Sequence, residues 1–383
     1  MTYALCMSAD AAPFFMGLGD LPGGIFYSRA LAVSADGSTV VGDSNGVGGN
    51  HAFRWTLEEG IQYLVDPAEN PHGSLGLGIS GDGSVAAGYA SPMGNVSAFR
   101  WTAATGSQYL PSLPAERLQS EAWDVSDDGR VIVGECGSDG NRVACLWDEH
   151  GNVRGIGDLA GGMLSAGATA VSADGSVVVG TGYSESGQEA FRWTEATGMV
   201  GLGDLPGDNF NSWAWSVSAD GRVVVGVSRS EKGMEAFRWT ESGGMQGLGV
   251  DGLTGNSVAW DVSGDGSLVV GESVLETGWG AVIWDEAGVM RPLKEYLATD
   301  YGLDLTGWAL GEAYGISDDG KVIVGWGSSP NGWSEAWIAN LRTDATSPVP
   351  VPEPMSLTLL GIGLASLWRV GRSVRRWSGP QRA

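Results

Sequence analysis

Three histidines in 383 residues leave little material for metal or nucleophile chemistry. His51, His72 and His150 stand at non-equivalent places, with no metal spacing. There is no Walker loop and no His-Glu-x-x-His. Cysteine is as scarce, with three. Cys6 falls in the N-terminal stretch. Cys136 and Cys145 lie near the two ends of one predicted hairpin loop, and read either as a cross-strand disulfide formed in an oxidising compartment or as two thiols in a core. Basic residues are few: 21 against 45 acidic ones, for a net charge of −24. Five arginines (Arg369, Arg372, Arg375, Arg376 and Arg382) lie beyond residue 368, so the body is more acidic still. Such a surface excludes nucleic acid, whose phosphates need a basic partner, and reads most simply as a solvated acidic face. The apolar run Met355 to Trp368 is also shorter than the roughly 20 residues of a comfortable membrane span.

What the sequence does have is repetition. Asp-Gly occurs at Asp36, Asp82, Asp128, Asp174, Asp220, Asp265 and Asp319. A tryptophan keeps the same beat at Trp55, Trp101, Trp147, Trp193, Trp239 and Trp284, and the seventh copy displaces it to Trp337. The fourth copy is typical. Ser165 to Val171 leads through Ser172-Ala173-Asp174-Gly175 into the β-branched run Ser176 to Gly180. Then Glu189 to Thr194 alternates apolar and polar residues, and Met199 to Gly203 closes the unit. Asp-Gly between apolar runs signals a hairpin, because Gly accepts positive φ without steric cost. Four strands in about 46 residues, repeated, predict an all-β chain folded as a β-propeller of seven four-stranded blades. Only six copies carry their own last strand. The missing one stands at the N-terminus, where Met16 to Gly23 matches Val200 to Gly207, so the N-terminal strand is expected to complete the last blade.

The 63 glycines serve turns and close packing, and the repeated tryptophans are expected between blades rather than on a ligand. Each Asp-Gly aspartate reads as a turn former. A Ca²⁺ site needs six to eight oxygens, and one repeat supplies one or two acidic positions. His51 reads as a surface residue. Extra residues within Leu293 to Trp308 are expected to begin as a short helix with Leu293, Tyr296 and Leu297 on one face, as a spacer or a specificity element. No residue is singled out as catalytic, cofactor-binding or metal-ligating.

The unit Ala-Val-Ser-x-Asp-Gly-Ser-x-Val-Val-Gly, then His-Ala-Phe-Arg-Trp-Thr, then Gly-Met-x-x-Leu-Gly-x-Leu-Pro-Gly, resembles the HAF family of extracellular bacterial repeats over residues 16–340; His51-Ala52-Phe53 is the naming tripeptide. Residues 1–15 read as the remnant of a signal peptide, or as disordered, and 341–354 as a Pro/Ser/Thr linker. Residues 355–383 read as a hydrophobic helix with an arginine-rich end. Val351-Pro352-Glu353-Pro354, the apolar run and Arg369, Arg372, Arg375 and Arg376 together resemble the PEP-CTERM sorting signal of Gram-negative bacteria. That resemblance implies an exosortase-type membrane protease as partner, transient membrane insertion or a retained anchor, and a link to exopolysaccharide and biofilm matrix. The expectation is therefore an exported, non-catalytic binding or structural propeller at the outer cell surface, with polysaccharide or envelope proteins as partners. The alternative is a carbohydrate-active enzyme, a lyase or hydrolase, on the same scaffold.

Overall fold

The computed structural model describes residues 12–343, apart from 71, 93, 114–118, 139–140, 208 and 250–255. Cys6, the expected C-terminal helix and the sorting-signal residues Val351, Pro352, Glu353, Pro354, Arg369, Arg372, Arg375 and Arg376 lie outside the described residues.

Each repeat is one antiparallel sheet of four strands. In the fourth they are Gly167–Val171, Val177–Ser184, Gly187–Thr194 and Gly198–Gly201. The first hairpin is closed by the serine and aspartate of Ser-x-Asp-Gly. Ser172 Oγ and the Ser176 N–H both donate to Asp174 Oδ1 (2.9 Å each), and the Val177 N–H donates to Ser172 Oγ (3.0 Å). Gly175 takes φ 74°, open to glycine at little cost. The serine–aspartate bond of this turn recurs in all seven sheets. Hydrogen bonds from Ser84 and Ser176 hold Asp82 and Asp174 below the usual carboxylate range.

The glycine after each β-branched pair has a different reason. A Cβ on Gly180 would lie 2.1 Å from the Gly167 carbonyl oxygen and 2.9 Å from the Phe191 ring. Phe191, fully buried, fills the space that the glycine leaves. In the seventh copy Trp337 pairs with Gly325 as Phe191 pairs with Gly180, so the displaced tryptophan has taken the phenylalanine's place. In the third copy that place holds Cys145. Cys136 and Cys145 are bonded there, Cα atoms 6.0 Å apart, within the core between the second and third sheets.

The first strands of the seven sheets adjoin one another in a cycle that returns from the seventh to the first. The seventh sheet is completed by the N-terminal strand Phe14–Gly17, which pairs antiparallel with Ser334–Asn340 in the register Phe14↔Asn340 to Gly17↔Trp337. The sheets thus begin at Phe14, two residues before the boundary read from the repeats. Trp55, Trp147, Trp193 and Trp284 are buried, each packed against the preceding sheet, as expected of seam residues. The insertion forms a helix at Leu293–Tyr301 that buries Leu293 and Leu297 against the sixth and seventh sheets.

Polar bonds also cross the seams. A serine six residues before each turn serine takes the N–H of the previous sheet's third strand at five seams: Ala336 to Ser28, Ala52 to Ser74, Ala98 to Ser120, Ala190 to Ser212 and Ala236 to Ser257, 2.9–3.0 Å. In the fourth and seventh copies that position is Ala166 and Gly311. Those two seams have another fastening: the Val171 N–H donates to Asp124 Oδ2 (2.9 Å), and the Ile316 N–H to Asp261 Oδ2 (2.8 Å). Arginines of Phe-Arg-Trp reach across as well, Arg100 to the Gly129 carbonyl (2.9 Å) and Arg192 to that of Gly221 (3.1 Å).

Candidate functional site: a cleft over the fourth sheet

One residue per sheet faces the axis at the channel waist: Leu31, Leu77, Trp123, Thr169, Trp215, Trp260 and Tyr314. Trp215, Trp260 and Tyr314 form an arc, with ring centroids 5.3 and 5.5 Å apart. This filling leaves a channel cavity of about 170 Å³.

The fourth sheet breaks the ring. It offers Thr169 where its neighbours carry Trp123 and Trp215, Gly167 where they carry Glu121 and Trp213, and Thr181 where they carry Glu135 and Val227. Small side chains beside large ones open a cleft of about 420 Å³ above Thr169, at the end of the strands opposite the Asp-Gly turns. Trp123, Tyr183, Trp213 and Trp215 contribute aromatic surface; Glu135, Arg142 and Gln188 contribute polar groups. Aromatic walls with a few convergent polar groups fit a planar or ring-shaped ligand.

Glu135 and Arg142 form an ion pair on the disulfide-braced hairpin. Burial pushes Glu135 up to about 7; Arg142 opposes that rise and the Glu121 carboxylate, hydrogen-bonded to it, adds to it. Around the same end of the channel, Arg29 pairs with the buried Asp43 at 2.9 Å. Glu272 is raised to about 7 by burial and by the charge of Glu312.

Four further carboxylates belong to the channel wall and its narrow end. Asp124 and Asp261 touch the void yet are enclosed by protein, and burial raises them to about 7 and about 6. Their oxygens are occupied: Asp124 by Val125 and Val171 N–H groups, Asp261 by those of Val262 and Ile316 and by Ser216 Oγ. Asp127 and Asp318 hydrogen-bond each other, and burial followed by the charge of Asp318 lifts Asp127 to about 6. Among the described residues no three His, Cys, Asp or Glu converge as a metal-binding set. The Asp-Gly carboxylates are engaged by their own turns.

The expectation for His51 is corrected. It is fully buried, with Nε2 2.8 Å from the Val47 carbonyl oxygen and its ring edge-on to Tyr63 at 5.7 Å, far from any role at the surface. The reading of repeated tryptophans as seam residues overlooked a second tryptophan set. Trp123, Trp215 and Trp260 each stand three residues before a turn serine, in Ser-x-Ala-Trp-(Asp/Ser)-Val-Ser, and face the channel instead. Aligning the copies against one another carries that signal, as it does for the small residues of the fourth sheet. Among the described residues no helix is long and apolar enough to cross a membrane.

No protein-family model and no curated protein matches the chain. Solved structures do. A puromycin hydrolase aligns at 15% identity over 85% of this chain and 55% of its own, with a TM-score of 0.54. An oligogalacturonate lyase from Vibrio parahaemolyticus aligns at 10% identity over 87% of this chain and 98% of its own (TM-score 0.52). An oligogalacturonate lyase in complex with manganese aligns at 13% identity over 82% and 88% (TM-score 0.51). At such identities the likeness speaks for the fold alone: this chain is an all-β protein of four-stranded sheets in a propeller-like arrangement.

Proposed function

We propose that this protein is an exported, non-catalytic seven-bladed β-propeller that holds a polysaccharide in the cleft over its fourth sheet, as a surface or matrix component. The observation that carries this reading is the placing of the cleft relative to the end of the chain. The last strand ends at Asn340, where the Leu341 N–H bonds the Lys321 carbonyl and Arg342 grips Asp319 (2.8 Å) and the Asp36 carbonyl. These partners belong to the Asp-Gly end of the sheets. The chain leaves the sheets at the end opposite the aromatic cleft, so an attachment made through a PEP-CTERM-like signal at Pro352-Glu353-Pro354 leaves the cleft open to the matrix. The carboxylates of the channel wall support a binding role over catalysis, since Asp124 and Asp261 are taken up by seam bonds and Asp127 by Asp318.

Two measurements test it. Intact-mass analysis of protein from the native host is expected to find a C-terminus near Pro354, with residues 355–383 removed by an exosortase-type protease. Affinity electrophoresis in the host's exopolysaccharide is expected to retard the protein without shortening the polymer. A chain ending at Ala383 with unretarded migration would overturn the proposal.

A second reading, a polysaccharide lyase or hydrolase, is favoured by Glu135 alone, a cleft carboxyl held near neutrality as a general acid requires. Against it, Glu121 and Glu135 are hydrogen-bonded, closer than the roughly 5 Å or more that separates glycosidase carboxyl pairs. Release of new polymer ends by the wild type and not by Glu135→Gln would establish this second reading.

A further inference from the structure

We infer that the glycan held by the cleft is neutral, recognised through hydroxyl or amide groups, and that sugars charged with either sign are turned away; this rests on the cleft being the binding place. Glu135 and Arg142 are the only charged side chains lining the cleft among the described residues. Glu135 stands opposite Glu121 across the first two strands of the third sheet, and the two carboxyls are hydrogen-bonded. Such a bond needs a proton between them, so the pair carries a single negative charge. The guanidinium of Arg142, ion-paired to Glu135, balances it. The cleft thus holds no net charge, in a chain whose total is −24.

The charged groups are also taken up. Glu135 is bonded by Arg142 and by the Trp123 side chain, and shares its proton with Glu121. An ammonium entering the cleft meets no carboxylate without a partner, and a sugar carboxylate meets a guanidinium that is already neutralised. Either ion gives up water in a partly enclosed, aromatic-walled space with no counter-charge to replace it, which is costly. The uncharged groups are in the opposite state. Thr181, Tyr183 and Gln188 line the cleft, and among the described residues no hydrogen bond takes up their side-chain hydroxyl and amide groups. These groups can donate to and accept from sugar hydroxyls or an acetamido group. Trp123, Trp213 and Trp215 offer faces to the C–H groups of a pyranose ring. The acidic pair Glu272 and Glu312 lies on the sixth and seventh sheets, outside the cleft lining. From there its pull on a cation is screened by salt.

The test is calorimetric titration of the full chain, in about 0.15 M salt, with three oligosaccharides of the same β-1,4 linkage and length: a neutral cello-oligosaccharide, its 2-amino counterpart and its 6-carboxylate counterpart. The neutral probe is expected to bind about tenfold or more tighter than either charged one, with an affinity that added salt leaves unchanged. Glu121→Gln and, separately, Glu135→Gln are expected to keep this preference, because the glutamate that remains ionises beside Arg142. The double variant leaves a net positive charge and is expected to gain binding of the carboxylate probe. Arg142→Gln leaves a negative one and is expected to gain binding of the amino probe. Trp213→Ala is expected to weaken the neutral probe. Wild-type protein that binds a charged probe as tightly as the neutral one, or folded charge variants that discriminate as the wild type does, would overturn the inference about charge and leave the cleft as a glycan site. Binding of none of the three overturns the inference together with the reading on which it rests.

Discussion

Five seams of the ring are fastened by a serine hydroxyl and two by an aspartate, and the two kinds behave differently. At a serine seam such as that of Ser212, the hydroxyl accepts the Ala190 N–H and donates to the Gly203 carbonyl at 2.6 Å, a neutral arrangement that satisfies both groups. At the third-to-fourth and sixth-to-seventh seams the serine is replaced by Ala166 and Gly311, and a carboxylate from the channel wall takes a neighbouring strand's N–H instead. The aspartate makes more bonds but must be enclosed, which penalises its charged form. A ring can thus lose a repeated seam contact where a copy diverges while a different N–H, that of Val171 or Ile316, is bonded across the same seam. One of these two seams borders the cleft, so the divergence that removed the serine also belongs to the sheet that makes room for a ligand.

The aspartate seams are expected to be the more fragile to deletion. Asp261→Ala strips acceptors from Val262, Ile316 and Ser216 at once, and is expected to cost about 3 kcal/mol in urea unfolding. Asp124→Ala should come close behind, and the Asn versions, which keep one acceptor oxygen, should cost less. Ser212→Ala or Ser74→Ala leaves one buried N–H without its partner and is expected to cost about 1–2 kcal/mol by the same measurement. Equal losses at the two kinds of seam would erase the distinction.

The pH response sharpens it further. Asp124 and Asp261 titrate at about 7 and about 6 in the folded chain, above the ordinary 3.8. Between these values the folded state holds more protons than the unfolded state, so stability falls as pH rises. Their contribution is fully present below 3.8 and lost through 6 to 7. Thermal melts are expected to show a midpoint that climbs from about pH 8 to about pH 5. Asp124→Asn with Asp261→Asn should flatten that slope, whereas Ser74→Ala should lower the whole curve without changing its steepness. The smallest effect is expected from Ala166→Ser, which restores the missing serine at the cleft seam and should add about 0.5–1 kcal/mol.

Much of the fold was legible because each strand is repeated with its own turn. Ser-x-Asp-Gly announces a hairpin in any single copy, and the match of Met16 to Gly23 with Val200 to Gly207 located the strand that completes the seventh sheet. The site was far less legible, since it is made of departures from the repeat. Gly167, Thr169 and Thr181 look like ordinary small residues until each is set against Trp213, Trp215 and Glu135 at the same place in neighbouring copies. His51 misled because a polar residue in an alternating strand suggests solvent, while Val47 and Tyr63 cover it. Arg142 and Glu135 lie seven residues apart, and only the hairpin register brings them together.

The most direct test fills the cleft with side chains that the ring already uses elsewhere. Thr169→Trp gives the fourth sheet the residue of its two neighbours, and Thr181→Trp gives it that of Trp326 in the seventh. Affinity electrophoresis of the full chain in the host's exopolysaccharide, with melting curves alongside, is the measurement. Retention is expected to fall at least tenfold in both variants while folding is kept. Retention equal to that of the wild type in a folded variant whose cleft is filled would contradict the assignment of the cleft as the binding place.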